Sequence, residues 1–256
     1  MKVRILGAHN CESEDSRMVS LLVDGVLALD AGGLTSQLSL EAQARLKAVL
    51  LTHWHYDHIR DIPALAMNLF LGGATLSLYT TASVRDALGA NLLNGKLYPD
   101  FFARPAGRPV LTFFPVEPYQ KWQIAGYEIL AVPVNHAEAT ALGYQVSQEG
   151  KSVFYTGDTG SDLSSCWEHV SPQLLVMEVT MPNRYADSAK ESHHLTPALL
   201  QEELVRFREM KGYLPRVAVV HMNPRLEGEI AGELDQVAHT LHNPVTLAHE
   251  GMELHL

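Results

Sequence analysis

Short apolar runs separated by Gly, Pro, Asn and Asp dominate the first half of the chain, and helical periods become frequent only in the second. Alternating and β-branched patterning predicts strands over Val3–Leu6, Val19–Val23, Val26–Leu29 and Ala48–Thr52, with Asp24 and Gly25 turning the middle pair into a hairpin. A helical pattern runs from Ile62 to Phe70, and the stretch from there to about Pro118 is punctuated by Pro and Gly without a clear period. Strand patterns return over Tyr127–Val132, Ala141–Val146, Ser152–Tyr155, Leu174–Glu178, Val217–Val220 and Val245–Ala248. Among the later ones, Thr196 reads as an N-cap with Pro197 at the first helical position before ALLQEELVRFREM, and a second helix covers Glu227–Leu241. Strands first, then strands alternating with helices, imply sheets covered by helices on their outer faces.

A chain of 256 residues with 46% hydrophobic and 19% charged content can bury one sizeable core, and a single domain over 1–256 is the expectation. No run approaches the roughly 18 apolar residues of a membrane span, and MKVRILGAHN reads as a strand entering a loop rather than a signal peptide. The expected setting is cytoplasmic, without a membrane partner. Cys11 and Cys166 are the two cysteines and form no metal-binding spacing or disulfide framework. A formal charge of −10 opposes long-range attraction of a nucleic-acid backbone. The thirteen histidines change the picture more.

The segment LLTHWHYDHIRDIPAL sets His53, His55, Asp57 and His58 directly behind an apolar run. Imidazole and carboxylate are costly to bury without partners, and no strand or helix period hides these four, so packing does not explain them. Such donors suit zinc or another borderline divalent ion, and four in one loop exceed what a single catalytic metal takes while keeping an open position. Two ions then need further ligands, and His136, Asp158 and His221 each end an apolar strand where Gly, Pro, Asn or Asp takes over. His169, His239, His242, His249 and His255 lack such a setting and are read as surface or packing residues.

The set formed by Asp30, the H-x-H-x-D-H of His53 to His58, His136, Asp158 and His221 resembles the metallo-β-lactamase-fold hydrolases across nearly the whole chain. The resemblance implies an α/β fold, the αββα sandwich of two mixed sheets flanked by helices. It implies one ion on His53, His55 and His136, another on Asp57, His58 and His221, Asp158 bridging, and Asp30 in support. The cofactors are then two divalent metal ions, zinc first, with Mn2+ or Fe2+ as alternatives. A histidine at position 55, where flavodiiron proteins carry glutamate, makes the chain resemble the hydrolytic branches. The segments LLNGKLYPDF, FYTGDTGSD, VMEVTMP, HHLTPALLQEEL and VVHMNP resemble class II cyclic nucleotide phosphodiesterases in order and spacing. RNase Z shares the fold and has a comparable Glu and His pair, matched here by Glu178 and His194.

The resemblance implies catalytic roles for Asp57, which would orient the attacking hydroxide, and for His194, which would protonate the leaving oxygen with Glu178 orienting it; His193 is the alternative donor. The expected substrate is a small phosphodiester, a 3′,5′-cyclic nucleotide, because Lys and Arg between the His cluster and His136 are scattered rather than gathered in a tRNA-gripping arm. Two divalent ions would bring −10 to −6, and their local field outweighs remote, screened carboxylates. Tyr98 and Phe101 beside Pro99 could stack on a purine or simply pack in a core, and Arg225 is a further substrate contact by expectation. RNase Z-like tRNA processing, another small-substrate phosphodiesterase and a noncatalytic metal-containing module are the alternatives, and a homodimer is compatible with each.

Overall fold

The computed structural model describes residues 1–136 and 140–256; residues 137–139 lie outside the described set. The strands in chain order are β1 (Lys2–Gly7), β2 (Ser20–Val23), β3 (Leu27–Leu29), β4 (Ala48–Leu50), β5 (Leu76–Thr80), β6 (Leu111–Pro115), β7 (Lys121–Ile124), β8 (Tyr127–Pro133), β9 (Leu142–Gln148), β10 (Lys151–Tyr155), β11 (Leu174–Glu178), β12 (Arg216–Val220), β13 (Val245–Leu247) and β14 (Glu253–His255). The α-helices are α1 (Leu34–Gln37), α2 (Leu40–Ala44), α3 (Tyr56–Ile59), α4 (Ile62–Leu71), α5 (Ala82–Ala87), α6 (Ser164–His169), α7 (Ala186–Glu191), α8 (Pro197–Lys211) and α9 (Glu227–Leu241).

Two seven-stranded sheets form, in the orders β14-β1-β2-β3-β4-β5-β6 and β13-β12-β11-β10-β9-β8-β7. Each joins an antiparallel meander to parallel strands: β1 to β3 continue into parallel β4, β5 and β6, and β7 to β10 continue into parallel β11, β12 and β13. One core cluster takes residues from both sheets, such as Ile5, Leu21 and Leu29 with Ile129, Val146 and Phe154, and reaches the buried faces of α6, α8 and α9. A second lies between the first sheet and α4, through Val49, Leu51, Ile62, Leu65 and Leu69. The architecture is the αββα sandwich.

Local chemistry explains the elements that sequence patterning reads well. Asp24 and Gly25 both adopt positive φ, 47° and 77°, and the Val26 amide bonds the Val23 carbonyl at 3.1 Å, closing the β2–β3 hairpin. The Thr196 hydroxyl accepts from the Leu199 amide, Pro197 opens α8, and Gly212 ends it at φ 77°. Strand β4 stops at Leu50 rather than Thr52, because the Thr52 amide turns away to bond Asp30 Oδ1 at 2.8 Å. The Pro- and Gly-rich stretch contributes β5, α5 and β6. Strand β5 alternates buried and half-buried residues over five positions, too few to stand out in a sequence so punctuated.

Candidate metal centre

The parallel topology puts the ends of several strands on one edge of the sandwich, and the polar residues just beyond them meet there. Asp30 follows β3, His53 to His58 follow β4, His136 follows β8, Asp158 follows β10, Glu178 ends β11 and His221 follows β12. Two groups result: His53, His55, His136 and Asp158 in one, and Asp57, His58, Asp158 and His221 in the other, with the offered donor atoms of each lying within 4.8 Å of one another. Asp158 belongs to both. Its Oδ1 is 3.0 Å from His58 Nε2, and its Oδ2 is 3.2 Å from His221 Nε2 and 3.7 Å from His53 Nε2.

Hydrogen bonding behind these side chains sets which nitrogen faces the centre. His58 Nδ1 donates to Asp30 Oδ2 at 2.7 Å, and His136 Nδ1 to the His193 carbonyl at 3.1 Å. The Thr52 hydroxyl gives its proton to Asp30, so at 3.0 Å it accepts from His53 Nδ1. The Thr180 hydroxyl gives its proton to Glu178 Oε2 at 2.8 Å, so at 2.8 Å it accepts from His221 Nδ1. Four imidazoles are thereby fixed with the Nε2 lone pair turned inward, the arrangement a ligating histidine requires. His53 Nε2, His58 Nε2 and Asp158 Oδ1 are buried without a hydrogen bond. Buried polar atoms left this way, converging on a common point, fit divalent cations in both groups.

The electrostatics agree. Burial, reinforced by His58, holds His53 well below the usual histidine range, and burial also lowers His55 and His136, leaving neutral imidazoles. Burial would lower His58 too, but Asp158 and Asp30 hold it well above that range. Burial would raise Asp158, yet His221 and His58 keep it well below the usual carboxylate range. A proton and a metal ion compete for the same His58 lone pair, and the carboxylates that favour one favour the other.

Strained backbone concentrates at this edge. Asp30, His193 and His221 are non-glycine residues at φ 57°, 55° and 66°. Gly157 sits at φ 62° where a Cβ would come within 2.8 Å of Thr52 Cβ, so glycine lets the strand that delivers Asp158 approach the loop that delivers His53.

Behind the two groups, His194 Nδ1 meets Glu178 Oε1 at 2.6 Å, and its ring stacks on His221 and tilts against His136. Burial opposes its charge, but the Glu178 carboxylate pushes His194 up to about 9. Glu178 is fully buried and also accepts from the Thr159 and Leu195 amides, at 2.8 and 3.2 Å. Glu178, His194 and His221 could be grouped as a third cation site. The Glu178–His194 bond and the Thr180 hydroxyl, which joins Glu178 to His221 Nδ1, already engage these atoms with one another.

The expected substrate aromatics are placed otherwise. Phe101 is 2% exposed, packed against Phe70 and Tyr98 in the helix-side core of the first sheet, so its ring face is spent on packing and cannot stack on a base. Tyr98 is half-buried against that same core. Arg225 is exposed at the rim of a cleft that also contains His9 and Glu227. Sequence reading missed Thr52, Thr180 and Tyr155, whose hydroxyl bonds Asp30 Oδ2 at 2.8 Å. The positions of Thr52 beside His53 and Thr180 two residues after Glu178 were the only signals available.

Residues 20–222 match the Beta-lactamase superfamily domain, and the chain belongs to that family as a metallo-β-lactamase-fold hydrolase. Similar solved structures include unliganded yeast PDE1, 16% identical with a TM-score of 0.84 over 100% of this chain and 99% of that one. The metallo-β-lactamase fold protein YhfI from Bacillus subtilis is 17% identical with a TM-score of 0.77 over 99% of each chain. The short form of human tRNase Z (ELAC1) is 19% identical with a TM-score of 0.71 over 100% of this chain and 99% of that one. No curated protein matches the sequence. Among the described residues, no helix is long and apolar enough to cross a membrane.

Proposed function

We propose that the protein is a dinuclear metal-dependent phosphodiesterase that hydrolyses 3′,5′-cyclic nucleotides to 5′-nucleotides. The observation that carries this is the Glu178–His194 pair, 2.6 Å apart and stacked over the metal centre without being needed as a ligand. His53, His55 and His136 would hold one divalent cation and Asp57, His58 and His221 the other, with Asp158 shared. Such ions, zinc before Mn2+ or Fe2+, supply Lewis acidity toward phosphate oxygens and make water acidic enough to act as a nucleophile at neutral pH. His194, charged through Glu178, is positioned to give a proton to a poor leaving group such as a ribose oxygen. Asp57 is the least buried carboxylate of the centre, its Oδ2 lying 3.1 Å from His221 Nε2, and can orient the attacking water from the open side.

The likeness to yeast PDE1 over 100% of this chain and 99% of that one supports the phosphodiesterase reading, and the likeness to human tRNase Z supports the alternative of action on tRNA. The net charge of −10 favours the small substrate, since a polyanion needs several Lys or Arg contacts. A panel of 3′,5′-cyclic nucleotides, 2′,3′-cyclic nucleotides, a precursor tRNA and bis(p-nitrophenyl) phosphate tests the choice. Cleavage of the tRNA without cyclic nucleotide turnover would reverse it.

A further inference from the structure

Beside the metal centre lies a cleft of about 370 Å³, within the size range of small-ligand sites. His193 and His194 line it, and Asn135 and Gly160 contribute from the loops that carry His136 and Asp158. Its charges are largely paired already. Lys190 and Arg206 bring two positive charges and Asp162 and Glu202 two negative, Arg206 is engaged by Glu203 at 2.6 Å and Asp162 at 3.4 Å, and the positive His194 is engaged by Glu178 at 2.6 Å. A second phosphate therefore gains little here, whereas a neutral polar group can use what remains. Leu199 supplies apolar surface, and Ser161 Oγ is buried without a hydrogen-bond partner.

Hydrogen bonding defines what His193 offers. Asn135 Nδ2 donates to the Ser161 carbonyl at 2.7 Å, which turns Asn135 Oδ1 toward His193 Nδ1 at 3.2 Å. An acceptor there requires a proton on Nδ1, and in the neutral ring that leaves His193 Nε2 as an acceptor. The left-handed backbone of His193, φ 55°, lets one residue do two things: its carbonyl receives the His136 Nδ1 proton, and its ring is held by Asn135 at the cleft.

We infer that this cleft holds the part of the substrate joined to the leaving oxygen, and that this part is a neutral polar ring of the nucleoside kind. The assignment rests on the proposed function, in which His194 serves the leaving oxygen; whatever hangs from that oxygen then lies on the side of the centre that His194 lines. Lys190 and the Ser161 hydroxyl donate to it, His193 Nε2 accepts from it, and Leu199 packs against it. The Ser161 hydroxyl is the most telling of these, because a buried polar atom without a partner is costly unless a ligand completes it.

Calorimetric titration of the purified, metal-loaded protein with adenosine, guanosine and their 5′-monophosphates tests this, with inorganic phosphate as the comparison. Wild type should bind the nucleosides themselves, and the monophosphates more tightly than phosphate. Lys190→Ala, Ser161→Ala and His193→Asn should each weaken nucleoside binding about five- to tenfold, the loss of one hydrogen bond to the ligand, and Lys190→Ala and Ser161→Ala should raise KM for the nucleotide more than they change kcat. Asparagine tolerates the positive φ at position 193, so that variant keeps its backbone. Wild type binding monophosphates no better than phosphate, or all three variants binding nucleosides as wild type does, would overturn the assignment. Nucleoside binding that is sensitive to the variants without cyclic nucleotide turnover would support the cleft and sink the proposed reaction. Turnover with variant-insensitive binding would do the reverse.

Discussion

His194 is held by Glu178 at 2.6 Å with its ring stacked on His221, so an imidazole engaged by a buried carboxylate lies directly against a histidine of one candidate ligand group. The pair separates proton delivery from cation binding. His194→Ala should retain wild-type metal content while cyclic nucleotide turnover falls roughly 10²- to 10⁴-fold, the range for a positioned proton donor. Bis(p-nitrophenyl) phosphate, whose leaving group departs without a proton, should lose much less, and Glu178→Gln should show the same asymmetry more mildly. Because His194 is raised to about 9, its charged form predominates at neutral pH, and turnover should fall as pH rises toward that value. Nearby cations can only move this limb downward. Equal losses on both substrates would refute the acid role.

Asp158 reaches both ligand groups, whereas His53 belongs to one. Purified protein should carry about two divalent ions per chain, and Asp158→Ala should lose more metal than His53→Ala, since a shared carboxylate also moderates repulsion between the ions. Elemental analysis decides, and a fully active wild type with at most one ion per chain would sink the dinuclear arrangement.

His9 joins distant parts of the chain through Glu250 at 2.8 Å and Glu227 at 3.3 Å. Burial opposes its charge, but Glu250 and Glu227 raise His9 above 6.5; burial likewise opposes ionisation of Glu250, which His9 and the Arg17 amide lower below 4.5. The raised histidine stabilises fully below 6.5 and loses its contribution as pH climbs through its folded value. The lowered glutamate stabilises above 4.5 and loses its contribution as pH falls. The clamp is therefore strongest between those pH values. His9→Gln should cost about 2–4 °C in Tm near pH 5.5 and less near pH 8, measured against wild type at each pH. A difference independent of pH would mean that packing, not charge, holds the clamp.

Phe101 packs between Phe70 and Tyr98 in the second core. Phe101→Ala should lower unfolding free energy by about 3–5 kcal/mol in urea denaturation. A rise in substrate KM without loss of stability would restore the ring to a binding role.

The residue types and order of the candidate ligands, the hairpin at Asp24 and Gly25, and both long helices were legible in the chain because turns and caps are local: Asp24 acts on its neighbours, and Thr196 on a residue three positions away. The αββα sandwich and the division of the ligands into two groups were implied by resemblance alone. Only the folded molecule decided which nitrogen of His58, His136 and His221 faces inward, because Asp30, the His193 carbonyl and Thr180 reach them across separate strands and loops, and even Thr52 is oriented toward its neighbour His53 by the distant Asp30. It also decided the fate of Phe101. An aromatic ring in a Pro- and Gly-rich stretch gains free energy from a core or from a ligand's face alike, and which surface it meets depends on how β5, β6 and α4 come together, a long-range outcome that local pattern does not encode.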